Sequence, residues 1–526
     1  MTVTRTLEAM AAADSPQTEQ EESVRAEPNL LEQALRRAGS DAAVYVPVRL
    51  VPAFTSLITT RVFTEAIGRA DYGAFYLVSA TASFLAAIAV NWLQSSSIRF
   101  FWPSKREGRI DNYLASIVWT ALLTLTGTAV VTGFAAWLAR DSIDHLVMRL
   151  IPVALVYFIA NFYTTALLQI LRAAKRARAF ARLQVATTIV VTVASLGFVW
   201  VGRWGSAGIL AGAAIGNLIL APFIVRSLQE EGSLSPRHID AGMLRQLVSY
   251  GLPLVPGGLA VWALVLLDRF VLGLFRGPSE VGLYSVAYGL GDKIMQLVTM
   301  PLLLTMMPSL VETYEKQGER LAERVQTHFT RYFAILTFPL LAGLGAASPV
   351  FMAVFTGPAY RSAYGVLALV AAGSMISSFA QVASAGLGLH KRTTIIMIDS
   401  LIAAALNVGL NVLLIPRYGY MACAWNTLFS YAFLLALTWI QSRRFMRWVV
   451  PWAALTRVAA AALCMAAVVY AMTANLPFGL ALLAAQFFVG VCVYASLLVV
   501  FKGIRREEML FMRQHANRIL RRRPRR

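Results

Sequence analysis

The sequence is poor in the residues from which most chemistry is built. Its 526 residues include three cysteines and five histidines, and only 14% are Asp, Glu, Lys or Arg; soluble proteins carry about 25% charged residues. Cys423, Cys464 and Cys492 fall far apart, each in an apolar run, so neither a metal knuckle nor a disulfide framework is spelled out. All three read as small core residues. His145, His238, His328, His390 and His515 stand alone in expected loops or tails, with no second ligand at metal spacing. No Gly-rich phosphate loop ends in Gly-Lys-Ser/Thr, which excludes ATP hydrolysis by that route, and there is no nucleophile elbow. The sequence offers no catalytic set, no metal site and no cofactor motif.

Apolar residues are what the chain has instead. They make up 58%, with a mean hydropathy of +0.63, against roughly 45–50% in soluble domains. A bilayer core takes roughly 20 apolar residues per helix, so fourteen helices would use about 280 residues and leave room for loops. Soluble enzymes, nucleic-acid binders and disordered scaffolds are excluded. The net charge of +20 and pI of 10.3 fit basic cytoplasmic loops rather than a nucleic-acid partner. Residues 1–43 are acidic, with eight Asp/Glu against four Arg. Lacking a basic start and a short apolar run, they read as a mostly disordered cytoplasmic tail, with one surface helix after Asn29, and not as a signal peptide.

The apolar pattern predicts an all-α polytopic membrane protein. Spans are expected near 44–60, 74–93, 114–138, 146–171, 183–202, 207–225, 247–275, 282–310, 332–356, 364–388, 394–415, 421–440, 454–473 and 479–501. With the N-terminus inside, and residues at a span's edge assigned to its loop, the inside segments from residue 94 onward hold 32 Lys/Arg and the outside loops 8. A miscounted span would scramble that alternation. Both termini are therefore expected in the cytoplasm. Arg521–Arg526, with five arginines, is a basic tail suited to anionic lipid or to fixing orientation.

An internal repeat divides the chain. Pro47, Arg61, Gly68 and Gly73 are spaced by 14, 7 and 5 residues, and Pro256, Arg269, Gly277 and Gly282 by 13, 8 and 5, at an offset of 209. Six spans separate the copies, so the halves run in the same direction, as two six-helix bundles flanking a central cavity. The expected organisation is a tail over 1–43, a first lobe over 44–227, a cytoplasmic linker over 228–246 and a second lobe over 247–445. Two extra helices over 446–501 and a basic tail over 502–526 complete it. Pro253, Pro256, Gly257 and Gly258 cluster where the second lobe begins and predict a hinge. Gly208, Gly212 and Gly216 line one face of the sixth span for close packing.

Charges inside spans are costly, at least ~2.5–3.5 kcal/mol each, and so tend to face cavities or partners. Arg49, Asp268, Arg269, Asp292, Lys293 and Asp399 are of this kind. Arg49, Arg269 and Lys293 read as cavity residues. Asp268, Asp292 and Asp399 read as pairing or ion-coupling groups, and Asn407 and Asn411 as an interhelical bond. Asp292 and Lys293 are about 100° apart on a helix, so one cavity cannot face both; Lys293 is expected toward the cavity and Asp292 toward the lobe's interior.

The run Tyr250, Gly251, Leu252, Pro253, then Leu267-Asp268-Arg269-Phe270, then Gly282-Leu283-Tyr284-Ser285-Val286-Ala287-Tyr288 resembles bacterial polysaccharide transporters. These are the O-antigen-type flippases of the multidrug/oligosaccharidyl-lipid/polysaccharide exporter superfamily. Thr60-Arg61, Gly68 through Gly73, and Ser97-Ile98-Arg99-Phe100 are similar to the same family, and the likeness covers roughly 44–445. It implies outward translocation of an isoprenoid diphosphate-linked oligosaccharide across a bacterial inner membrane by alternating access, with no enzymatic activity and no requirement for ATP. The family's cationic cavity would be supplied here by Arg49, Arg61, Arg99 and Arg269, whose guanidinium forks suit a diphosphate. No cofactor is expected; coupling to an H+ or Na+ gradient or to the membrane potential stays open. The expected partners are the lipid-linked oligosaccharide, anionic lipids and other polysaccharide-assembly proteins. A cation-coupled drug exporter, a peptidoglycan-precursor flippase and a membrane glycosyltransferase or polymerase are the alternatives.

Overall fold

The computed structural model describes residues 47, 48 and 50–501 of the chain. The acidic tail, Arg49 and the basic tail from Lys502, together with the expectations placed on them, lie outside the described residues. Among those described, there are helices and no strands. Residues 50–66 form α1. The rest of the first half is α2 (Arg69–Ala89), α3 (Asn91–Arg106), α4 (Ile110–Leu138), α5 (His145–Ala173), α6 (Ala177–Leu196) and α7 (Ser206–Gln229). A short α8 (Ala241–Gly251) leads into α9 (Val255–Arg276), α10 (Pro278–Gln317), α11 (Glu319–Phe355), α12 (Tyr364–Ala383), α13 (Ala385–Leu389), α14 (Thr393–Tyr418) and α15 (Tyr420–Ser442). Two further helices, α16 (Trp452–Asn475) and α17 (Leu480–Val500), follow.

Thirteen helical stretches among the described residues are long and apolar enough to cross a membrane, against fourteen spans expected. They correspond one for one to the second through fourteenth expected spans. The first, 44–60, falls partly outside the described residues, and its helical part runs on to residue 66. Several helices overshoot the expected ends. The 40 residues of α10 and 37 of α11 span roughly 60 and 55 Å at 1.5 Å per residue, twice the ~30 Å apolar core. The hairpin they form therefore projects beyond a bilayer, with a turn at Gly318, whose φ is +85°.

The two halves repeat one packing scheme. α2 and α10 start 209 residues apart, and so do α4 and α11. In the first half α2 packs on α5, α5 on α7, and α6 on α7; in the second, α10 packs on α12, α12 on α15, and α14 on α15. Local chemistry repeats too. Gly205 and Gly419 precede α7 and α15 at φ +56° and +59°, a region that favours glycine. An acid in the first turn of α2 or α10 then caps α7 or α15: Ser206 N donates to Asp71 (3.1 Å), and Tyr420 N donates to Glu280 (3.0 Å). Asp71 and Glu280 are themselves 209 residues apart. A carboxylate at a helix N-terminus satisfies an orphan donor and opposes the helix dipole.

Gly212 and Gly216 press α7 onto α6, and Gly208 presses it onto Phe198 and Val199 just beyond; a Cβ at Gly212 would lie 2.3 Å from the Ser195 backbone. The segment expected as a plain linker carries α8, which is tied to the first half. Asp240 caps it through Met243 N and pairs with Arg109 at 2.9 Å, and Ser96 Oγ donates to Leu247 O. The chain bends through a 3-10 turn at Leu252–Leu254. Pro253 sits in this turn, and Pro256, Gly257 and Gly258 open α9. Cys423 is buried, whereas Cys464 and Cys492 are exposed on α16 and α17, which corrects the reading of all three as core residues. Apolar helices in a bilayer turn side chains to lipid as well as inward, so hydropathy alone does not separate the two faces.

Candidate functional site

The halves meet along α1 and α2 on one side and α9, α10 and the end of α11 on the other. α2 packs on both α9 and α10. The first turns of α2 and α10 cross with no side chain between them. A Cβ at Gly73 would lie 1.7 Å from Pro278 O, and one at Gly282 would lie 2.2 Å from Arg69 O. These are repeat-related contacts, so the local two-fold of the repeat passes between Gly73 and Gly282. Beside this crossing Tyr360, fully buried, donates its hydroxyl to Ile67 O (3.0 Å) and stands edge-on to Tyr72 at 6.1 Å. At this end the halves are shut against each other.

Away from the crossing stands Lys293, fifteen residues into α10 and so about 22 Å from its start. Its side chain is exposed, and its Nζ donates to Ser56 Oγ on α1 at 2.6 Å. It spans the seam and has no carboxylate partner among the described residues. Asp292, its neighbour, turns into the second half, where its oxygens accept from Ser374 Oγ and Gln296 Nε2, both at 2.7 Å.

The arginines named from sequence are not gathered in one place. Arg49 lies outside the described residues. Arg99 is exposed on α3 and has no ion-pair partner among them. Arg61 lies within α1, because that helix continues past residue 60. Its Nη1 donates to Ala353 O (3.0 Å) and Thr356 O (2.6 Å), and it pairs with Glu65. Arg269 is only 4% exposed. It donates to Asp268 (3.0 Å) and Val265 O (2.7 Å), and its guanidinium lies 4.4 Å from the Tyr288 ring centroid. Asp268 accepts in addition from the Tyr284 hydroxyl. Arg269 is thus enclosed in this conformation and not presented to an open space, because a buried guanidinium needs a counter-charge close by.

Two further polar groups are buried in the second half. Asp399 is fully buried; one oxygen accepts from Gln441 Nε2 at 3.3 Å and the other has no partner among the described residues. Asn407, Asn411, Asn426 and Ser430 form a chain of bonds of 2.9–3.2 Å between α14 and α15. Asn426 and Ser430 extend the pair read from sequence; the polar residues spaced four apart on α15 were the available signal. No group of three or more His, Cys, Asp or Glu among the described residues could hold a metal ion.

Two repeated bundles thus meet along a seam that is shut at one end and carries Lys293 further along. The family model for polysaccharide biosynthesis proteins matches residues 38–314. The chain belongs to that family. The resemblance read from the sequence is borne out, and so is the all-α membrane fold. An uncharacterized membrane protein of Methanocaldococcus jannaschii is 24% identical over 392 residues, which are 70% of this chain and 76% of that protein. A probable low-salt glycan biosynthesis flippase, Agl15 of Haloferax volcanii, is 24% identical over 166 residues, 32% of this chain and 35% of that one. Among solved structures, the lipid II flippase MurJ in an inward closed conformation superposes with a TM-score of 0.69 at 13% identity, covering 88% of this chain and 98% of MurJ. An inward-facing multidrug resistance transporter of the MATE family superposes at 0.62 and 15% identity, covering 76% and 94%. At these identities the solved structures establish the fold, and the chain is a multi-pass membrane protein of that fold.

Proposed function

We propose that this family member is a flippase that moves an isoprenoid diphosphate-linked oligosaccharide from the cytoplasmic to the outer leaflet of a bacterial inner membrane. The two six-helix lobes would rock about the seam and open it to each side in turn. The observation that carries the reading is the family match over 38–314, set on a fold shared with transporters and flippases. The basic ends of the helices, with Lys105, Arg106, Lys175 and Arg176, would face the cytoplasm. The Gly73–Gly282 crossing would then close the outer side, and both termini would be cytoplasmic.

In this orientation Lys293 stands on the cytoplasmic side of the closure, where an entering anionic headgroup would meet it. An ammonium held by a serine hydroxyl, with no carboxylate bridging it among the described residues, can exchange that bond for a phosphate oxygen at small cost, whereas Arg269, already paired, cannot. Moving one charge across 100 mV is worth ≈2.3 kcal/mol, so an outward-moving diphosphate gains from an inside-negative potential and the transport step needs no ATP.

The test is a comparison of lipid-linked intermediates in cells with and without the protein. Finished units that accumulate on the cytoplasmic leaflet in its absence support a flippase. Unpolymerised units accumulating on the outer leaflet would point to a polymerase and contradict the reading.

A further inference from the structure

The segment Ala353–Tyr360, at the end of α11 and the turn after it, lies across the last two turns of α1 and the residue that follows, and is fastened there at successive points. Arg61 Nη1 reaches two carbonyls, Ala353 O and Thr356 O. Thr64 Oγ1 accepts from Gly357 N at 2.8 Å. Ile67 O accepts from the Tyr360 hydroxyl. Gly357 has room for nothing larger, since a Cβ there would lie 2.3 Å from Thr64 O. All of these bonds join the first half to the second, and all sit at the end where Gly73 and Gly282 cross.

The chemistry of the fastening differs from that of the repeat-related arginine. Arg269 is matched by a carboxylate and is buried. Arg61 is partly exposed, pairs with Glu65 on its own helix, and in addition reaches neutral carbonyls at the C-terminal end of α11, where unsatisfied C=O groups and the negative end of the helix dipole attract a cation. Charge-assisted bonds to carbonyls are strong enough to hold two bodies together and weak enough to release.

We propose that Arg61 is a latch and not a substrate ligand: its clamp on the carbonyls of Ala353 and Thr356 holds the Gly73–Gly282 end closed, and the glycine crossing is the fulcrum on which the halves part. The latch sets the balance between closed and open states without any substrate present, so it stands or falls independently of the transported molecule.

The experiment measures distances across the closure in the full-length protein, purified in nanodiscs with Cys423, Cys464 and Cys492 replaced. Spin labels go on Gly68→Cys, where an added Cβ meets nothing within 4 Å, and on the exposed Ser362→Cys. The parent should show mainly one short distance. Arg61→Ala should raise the ratio of long to short distances about tenfold, which corresponds to ~1.4 kcal/mol. Thr64→Val, which keeps the side chain's shape and loses its bond to Gly357 N, should shift it in the same direction. Glu65→Gln leaves the carbonyl clamp intact and should leave the distribution as in the parent. Distances in Arg61→Ala that superimpose on the parent's would overturn the latch. So would a Glu65→Gln variant as open as Arg61→Ala, because the ion pair would then be the holding contact. Should Arg61→Ala fail to yield monodisperse protein, Thr64→Val decides alone: opening supports the latch, and an unchanged distribution overturns it.

Discussion

At the scale of residues, adjacent charges on α10 have different fates, and their variants should differ accordingly. Lys293 faces the seam, where Ser56 is its hydrogen-bond partner among the described residues. Lys293→Ala should cut transport by about tenfold or more while yield holds, since a charge-assisted bond to a substrate oxygen is worth ~1.5–3 kcal/mol; Lys293→Arg should retain part of the activity. Transport by Lys293→Ala at the parent's rate would remove the lysine from the site. Asp292→Ala strips Ser374 and Gln296 of an acceptor, so folded yield should fall, as read by fluorescence-detected size exclusion. For the buried pair, Arg269→Ala leaves Asp268 uncompensated, a cost of about 3–5 kcal/mol. The expected result is loss of thermal stability in the same assay, with a double Asp268→Asn, Arg269→Gln variant recovering part of it. A fully stable Arg269→Ala would show that the pair does not support the fold. Sequence could mark Asp268 and Arg269 as charges needing company. It could not show that they keep each other's, because the enclosing Tyr284 and Tyr288 arrive from the next helix.

At the scale of elements, glycine decides how closely helices approach. Gly212 is pressed on the Ser195 backbone, whereas Gly127 on α4 has nothing within 4 Å of its Cβ position. Gly212→Val should separate α6 from α7 and lower thermal stability. Gly127→Ala should be neutral or stabilising by up to about 1 kcal/mol. Equal effects would mean that the glycine face does not set this packing. The spans themselves were legible because twenty apolar residues have few other uses. Their ends were not. The overshoot of α10 and α11, the break at Val90 between α2 and α3, and the helical α8 depend on contacts beyond the apolar core, such as Ser96 to Leu247 O, which a hydropathy pattern does not register. The repeat was legible in Pro, Arg and Gly spacing, whereas its chemically telling members, Asp71 and Glu280, pass in sequence for ordinary loop acids.

At the scale of the whole molecule, two copies of one packing scheme meet at a shut end, and the asymmetry of charge predicts a direction for the assembly. A reporter active only in the periplasm, fused to the C-terminus, should give no signal; a strong signal would reverse the orientation and put the closed end inside. The central claim is translocation, and reconstitution tests it most directly. Purified protein is placed in liposomes containing an isoprenoid diphosphate-linked oligosaccharide, and a membrane-impermeant glycan-modifying enzyme is added outside. The account predicts that the protein converts the inner-leaflet half of the lipid, protected in empty liposomes, into accessible substrate, and that Lys293→Ala slows this conversion. If the inner half stays protected with folded protein present and a membrane potential applied, the protein is not the flippase proposed here.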